Sequence, residues 1–391
     1  MKKGIKKKKY LLTRFGGIGD VAPVMVASEQ LTKRGYSVTL ALRDDGGAVK
    51  QSELFRNIKV CDKILDFRQM GPWGNRCIQY KDGWKSIESI YHEFDVVVDF
   101  QNIIEGNSTC KTNFMNRPSD VWGLTRNSNW RNWYDLHLEW VGIDPDSVPN
   151  DEKNPHFLLS QEERREAKKI RGKYSKVIGI HPIASAIART WNQAKELLPI
   201  IHDEFKNALV IAWSPEINDW DFVVKDGRIP IKIKTMHPLR RSMVMLQACD
   251  LFIGADTGFT HVAEGMKIKH IAIYSTVPAW TRAKYYKFQT PIDPGVNHPE
   301  YYNFSIQPGD PLRIEAGEKL LTKREKLIRK LYKEQAPMDQ VLKELNCDKR
   351  GADLEIDSLV KKTESWSQQQ SMALSDVSAK MVLTKIKELL K

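Results

Sequence analysis

The chain has 391 residues, a net charge of +12, 41% hydrophobic residues and 28% charged ones. That balance is ordinary for a soluble protein. No apolar run approaches the roughly 18 residues of a membrane span, and the length predicts two globular domains plus an appendage. The five cysteines, Cys61, Cys77, Cys110, Cys249 and Cys347, are odd in number, widely spaced and free of any CxxC pair. They predict reduced, structural thiols.

Six of the first nine residues are lysines. The start looks like a signal n-region, but residues 10–14 end on Arg14 too early to make an apolar core. A cytoplasmic protein is expected. The positive surplus suits an acidic partner such as nucleic acid, anionic lipid or phosphorylated glycan, or it is a solvated tail that only aids solubility.

In chain order, residues 10–14 read as a first strand, 23–34 as a helix with Val24, Ala27 and Leu31 on one face, and 37–42 as a second strand, a βαβ opening. The Trp- and Gly-rich stretch 71–84 reads as loops, and 94–100 has the continuous apolar character of a buried parallel strand. Residues 136–142 look helical, and the polar, proline-rich run 144–155 marks a break between domains. The pattern then restarts, with a charged helix at 161–172, a strand at 176–181, a helix at 193–205, and strands at 208–213, 231–235, 251–255 and 270–274. Strands alternating with helices of this length predict a second parallel α/β unit. The expected division is 1–150, 151–305 and a Lys/Glu-rich helical extension, 306–391, whose last helix carries Val382, Ile386, Leu389 and Leu390 on one face.

Three strand ends carry ligand-type residues. The first is the turn Gly16-Gly17-Ile18-Gly19-Asp20. It lacks the GxGxxG spacing and the later acidic residue of a dinucleotide fingerprint, and Asp20 reads either as a helix cap or as a carboxylate presented to a cleft. The second follows residue 181, where Ser185, Arg189 and Thr190 offer hydroxyl and guanidinium donors to a diphosphate, or form an ordinary surface loop. The third, Asp256-Thr257-Gly258-Phe259-Thr260-His261, closes an apolar strand and opens a helix. Gly258 admits close backbone approach, and the free amides and positive dipole end of the new helix suit a phosphate. His261 reads as a ligand contact or as a satisfied buried histidine.

With these residues the chain resembles glycosyltransferase family 9, the ADP-heptose:lipopolysaccharide heptosyltransferases, over roughly residues 8–290. The order and spacing of the glycine turn with Asp20, the loop after residue 181, and the Asp-Thr-Gly-x-x-His corner carry the resemblance, together with Asp135-Leu-His-Leu-Glu-Trp-Val-Gly-Ile143. It implies an α/β fold of two facing, doubly wound, Rossmann-like domains of GT-B type, with acceptor on the N-terminal side and nucleotide-sugar on the C-terminal side. It implies an inverting transfer of heptose or a related sugar onto a lipopolysaccharide or other glycan hydroxyl, with Asp20 as general base. Arg189 falls near the family's diphosphate-contacting lysine, and Asp256, Thr257, Gly258 and His261 match its donor-binding residues. No metal and no cofactor are implied beyond the nucleotide-sugar co-substrate, an ADP-sugar foremost.

Departures bear on the substrates. An arginine replaces the family's lysine, and guanidinium is not an equivalent point charge. Residues 275–280 replace the family's glycine, and Trp280 reads as a core filler, or as a stacking surface for a base or sugar. The acceptor expected is a phosphorylated glycolipid, reached by peripheral attachment of the basic N-terminus to an anionic membrane face. A second reading is DNA with modified bases, touched by Trp122, Trp130 and Trp133 beside Arg117, Arg126 and Arg131. A third is a non-catalytic nucleotide-sugar-binding protein.

Overall fold

The computed structural model describes residues 7–14, 16–44, 50–70, 75–80, 83–100, 131–184, 189–214, 231–234, 238–275, 278–294, 322–333, 337–349, 351, 355, 374 and 376–391. Two six-stranded sheets organise them. The first contains β1 (Lys9–Arg14), β2 (Ser37–Arg43), β3 (Lys63–Met70), β4 (Asn75–Tyr80), β5 (Gly83–Ser86) and β6 (Val96–Asp99), in the order β5-β4-β3-β2-β1-β6. Strands β3, β2, β1 and β6 run parallel, whereas β4 and β5 are antiparallel. The stretch read as loops at 71–84 therefore holds most of two strands. Trp84 and the rest of β5 lie on an exposed edge, so no apolar run or clean alternation marks them in the sequence.

Helix α1 (Ile18–Lys33) connects β1 to β2. It begins five residues before the expected start, with Pro23 inside it. Helix α2 (Trp133–Trp140) follows the first sheet, and α3 (Gln161–Arg171) precedes the second.

The second sheet is wholly parallel, in the order β12-β11-β10-β7-β8-β9. Its strands are β7 (Lys176–His181), β8 (Ala208–Ser214), β9 (Ile231–Lys234), β10 (Leu251–Ala255), β11 (His270–Ile273) and β12 (Gln289–Ile292). Helices α4 (Ala194–Glu204), α5 (Leu239–Gln247), α6 (Gly258–Gly265) and α7 (Ala279–Ala283) alternate with them. Strand order reverses between β7 and β10, which is where open parallel sheets leave a crevice at their carboxyl ends. Both C-terminal-sheet motifs leave from this pair, because Gly254 of β10 lies opposite His181 of β7.

One apolar cluster runs from the first sheet to the second. Val21, Val24 and Met25 of α1 join Phe259 and Val262 of α6 in it, so the two helices that open from the glycine turns pack on each other. The connecting segment is pinned as well: Phe157 donates its amide to the carbonyl of Gly265 at 2.8 Å.

Beyond the sheets, α8 (Lys323–Lys333) and α9 (Met338–Leu345) close on a small core of Ile328, Leu331, Val341 and Leu345. The last helix, α10 (Ala379–Leu389), buries Val382 and Ile386 in the core of the second sheet beside Leu197 and Ile201 of α4. Trp191 donates its indole N–H to the Val377 carbonyl at 2.8 Å. The apolar face read in the sequence is thus spent on the body of the protein. Among the described residues no helix is long and apolar enough to cross a membrane.

Candidate active site

The site forms where the starts of α1 and α6 meet. A Cβ added to Gly258 would lie 2.8 Å from Ile18 Cβ and 2.9 Å from the Gly19 nitrogen; one added to Gly19 would lie 2.6 Å from the His261 ring. Both positions are glycine because backbone meets backbone there, which brings the positive ends of two helix dipoles into one crevice.

On the α1 side, Gly16 takes φ +117°, a conformation that favours glycine, and a Cβ there would also collide with the Asp20 carboxylate. Gln51, fully buried, donates to the carbonyls of Gly16 and Gly17 at 3.0 and 3.3 Å and so fixes the turn. Gly17 is the N-cap, and Asp20 stands at the third helical position, accepting the Gly17 amide at 2.6 Å. The cap reading and the cleft reading of Asp20 both hold: one oxygen closes the turn, and the other pairs with Arg14 at 3.2 Å. Arg14, fully buried, also donates to the Phe100 carbonyl at 3.3 Å. Burial pushes the Asp20 carboxyl up, but Arg14, Arg282 and the Gly17 amide outweigh it and hold the group below its ordinary value.

On the α6 side, Asp256 is buried, and its Oδ2 has no hydrogen-bond partner among the described residues. Arg189 reaches it at 3.6 Å and donates to the Asp256 carbonyl at 3.3 Å. Arg282 approaches the same oxygen at 3.9 Å. Burial opposes ionisation of Asp256, and the two guanidiniums reverse that and keep it charged. Thr257 is the N-cap of α6 without making a side-chain cap bond; its hydroxyl faces His181 Nδ1 at 3.4 Å. Thr260 donates its amide to the Thr257 carbonyl at 3.1 Å, and the Gly258 and Phe259 amides at the start of α6 have no partner among the described residues. Thr190 accepts the Ala184 amide at 3.1 Å and holds its loop. Ser185 lies outside the described residues.

His261 is buried, and burial holds its imidazole at about 4, against a smaller upward pull from Asp256, so the ring is neutral near pH 7. Its Nδ1 shares a short hydrogen bond with the Tyr286 hydroxyl. The ligand and structural readings of this histidine are thus joined in one ring, with one edge bonded inside the protein and the other against Gly19.

Four residues of the site carry no signal of their own in the sequence. Arg14 closes a strand as an ordinary charged residue, Gln51 lies in a short helix between strands, and His181 ends β7. Arg282 lies far along the chain on α7, buried, with its guanidinium 3.2 Å from the ring centroid of Trp133. That ring comes from the other half of the molecule. Trp133 is thereby a structural stacking partner and not a nucleic-acid contact, and Arg131 pairs with Glu139. Trp122, Trp130, Arg117 and Arg126 lie outside the described residues. Trp280, expected in the core, is 41% exposed, since α7 turns it outward while Thr281 and Arg282 face in.

The charges sum to two carboxylates against three guanidiniums around two helix starts. A positive surplus beside free amides is complementary to a diphosphate.

Residues 141–292 match the family described as glycosyltransferase family 9 (heptosyltransferase); the span takes in Arg189 and the 256–261 corner and leaves Asp20 outside. The fold is similar to a glycosyl transferase family 9 structure from Veillonella parvula at 12% identity, covering 98% of this chain and 97% of that one, with a TM-score of 0.56. It is equally similar to ADP-heptose LPS heptosyltransferase II of E. coli at 12% identity, 98% coverage of both chains and a TM-score of 0.55. No curated protein matches the chain in sequence. Residues 141–292 thus match glycosyltransferase family 9, in a chain whose two-sheet fold is of the GT-B type.

Proposed function

We propose that this protein transfers a sugar, a heptose or a relative, from a nucleoside diphosphate donor to an acceptor hydroxyl with inversion and without a metal ion. The observation that carries the reading is the meeting of the α1 and α6 starts, with Asp20 on one side and the Asp256–Arg189–Arg282 cluster on the other. The donor diphosphate, an ADP-sugar in the first instance, would accept hydrogen bonds from the first α6 amides and from Arg189 and Arg282. Asp20, kept ionised by its surroundings, would take the acceptor proton as the oxygen attacks the anomeric carbon and the bond to the diphosphate breaks. The two guanidiniums and the helix dipole then carry the charge of the leaving group, the task a cation performs elsewhere.

For the acceptor we favour a phosphorylated glycolipid, held on the side of residues 1–150, with the N-terminal lysines against an anionic membrane face in the cytoplasm; each nearby lysine is worth about 1 kcal/mol. The donor would lie on the side of residues 151–305.

The test is transfer of labelled sugar from a panel of nucleotide sugars, with and without chelator, to extracted glycolipid and to hydroxylated-base DNA. Asp20→Asn should lower transfer about 10²- to 10⁴-fold while donor binding persists. Near-normal turnover of that variant would remove Asp20 from the base role. Transfer to DNA alone would replace the glycolipid reading, and donor binding without any turnover would point to a non-catalytic binding protein.

A further inference from the structure

His261 presents two different edges. Nδ1 bonds to the Tyr286 hydroxyl, which meets the Tyr134 hydroxyl at 2.6 Å. Nε2 has no hydrogen-bond partner among the described residues and faces the start of α1, where a Cβ on Gly19 would lie 3.0 Å from it. The ring is 3% exposed and neutral near pH 7, so whether this free edge donates or accepts depends on where one proton sits.

The two hydroxyls decide it. If the ring proton were on Nδ1 it would donate to Tyr286, Tyr286 would donate to Tyr134, and the Tyr134 O–H would need a further acceptor. Tyr134 is 1% exposed, and its hydroxyl has no partner besides Tyr286 among the described residues. That arrangement buries an unsatisfied donor. In the opposite arrangement Tyr134 donates to Tyr286, Tyr286 donates to Nδ1, both hydroxyl protons have acceptors, and the one donor left over is Nε2–H, which is not sealed in the protein and opens on the crevice. The ring proton is then on Nε2.

We propose that Tyr134 and Tyr286 are positioning residues that lock His261 in its Nε2–H tautomer, so that a neutral imidazole donates a hydrogen bond to the departing diphosphate. The inference rests on the donor-side function given above. It adds a coupling between the halves of the molecule. Tyr134 belongs to α2, which follows the first sheet, and Tyr286 follows α7 in the second. Asn132 docks the start of α2 on the carbonyls of Trp280 and Thr281 at 2.9 and 3.2 Å. The donor edge of His261 is therefore set by contacts that exist only while the two halves are docked.

The experiment is ¹⁵N NMR of histidine-labelled, full-length protein without ligand, with the His261 signals identified by their loss in His261→Gln. Wild type should show a protonated Nε2 and an unprotonated Nδ1. Tyr286→Phe should move both nitrogens toward averaged positions, and Tyr134→Phe should move them less in the same direction. In transfer assays Tyr286→Phe should lower kcat about tenfold and leave the donor KM within about twofold, the mark of an interaction made chiefly in the transition state. A proton found on Nδ1 in wild type would overturn the proposal, as would ring nitrogens unmoved in both variants. If Tyr286→Phe fails to fold, Tyr134→Phe, which removes only the distal hydroxyl, carries the test. Since the spectrum needs no turnover, a chain that transfers no sugar refutes the function and still reports the tautomer.

Discussion

Replacing Gly258 by alanine tests the claim that catalysis depends on two helix starts in backbone contact. The new Cβ would lie 2.8 Å from Ile18 Cβ and 2.9 Å from the Gly19 nitrogen. Neither neighbour is a flexible side-chain end, so α1 and α6 must separate by about half an ångström to reach ordinary van der Waals contact. Overpacking at such a site costs about 1–3 kcal/mol, a drop of several degrees in melting temperature that still leaves a folded chain. The same opening displaces Asp20 from the donor corner. Since a misplacement of about 1 Å can cost roughly a hundredfold, half of that should lower kcat about tenfold. Sugar transfer at saturating donor, alongside a thermal melt, measures both. Gly19→Ala, whose Cβ would meet the His261 ring at 2.6 Å, should act in the same direction. A Gly258→Ala protein with wild-type turnover and melting temperature would refute the contact and the reasoning built on it.

Removing the charge in Arg14→Gln should raise the Asp20 pKa, because burial then meets less opposition; the acid limb of the transfer pH profile moves to higher pH, and an unmoved limb would deny Arg14 that role. Burial holds His137 at about 3 and His181, His261 and His270 at about 4. The unfolded chain binds protons on these groups below about pH 6.5 and the folded one does not, so their stabilisation is complete above that pH and is lost as pH falls toward about 4. Each group loses up to about 1.4 kcal/mol per pH unit, and urea midpoints at about pH 7.5 and 5 should differ clearly; equal midpoints would contradict the buried, neutral state. Deleting residues 376–391 uncovers the cluster around Val382 and Ile386. At about 1.5–3 kcal/mol for each large apolar side chain, the truncated protein should melt well below the full chain, and an unchanged melt would show that α10 adds nothing.

Much of the frame was legible locally. Strands β7 and β10 were predicted with their observed bounds, and β1, β2 and β8 within one residue, since continuous apolar runs between polar breaks are a signal each segment carries alone. The antiparallel β4 and β5 were not: β5 is an exposed edge with no buried face to print a period on the sequence, and β4, between it and β3, puts Ile78 in the core. Helix α1 was started late because Pro23 suggests a first turn, whereas the Asp20 carboxylate, accepting the Gly17 amide, begins it at Ile18. Trp280 was expected inside by residue type, and the orientation of α7 turned it out.

The site divides in the same way. By itself the sequence determined the ligand-type residues that end β1, β7 and β10, since a strand–turn–helix junction and its backbone demands are local. Only the tertiary structure decided that two of these ends are neighbours at a crossover, that Gly19 and Gly258 touch, and that Arg282 stacks on Trp133 near Asp256 across 149 residues of chain. It also decided what each charge is worth, because burial and guanidinium neighbours set ionisation, and both come from segments far away in the chain. Residue types follow from the local chain, while distances and charges follow from which surfaces the folded halves bring together.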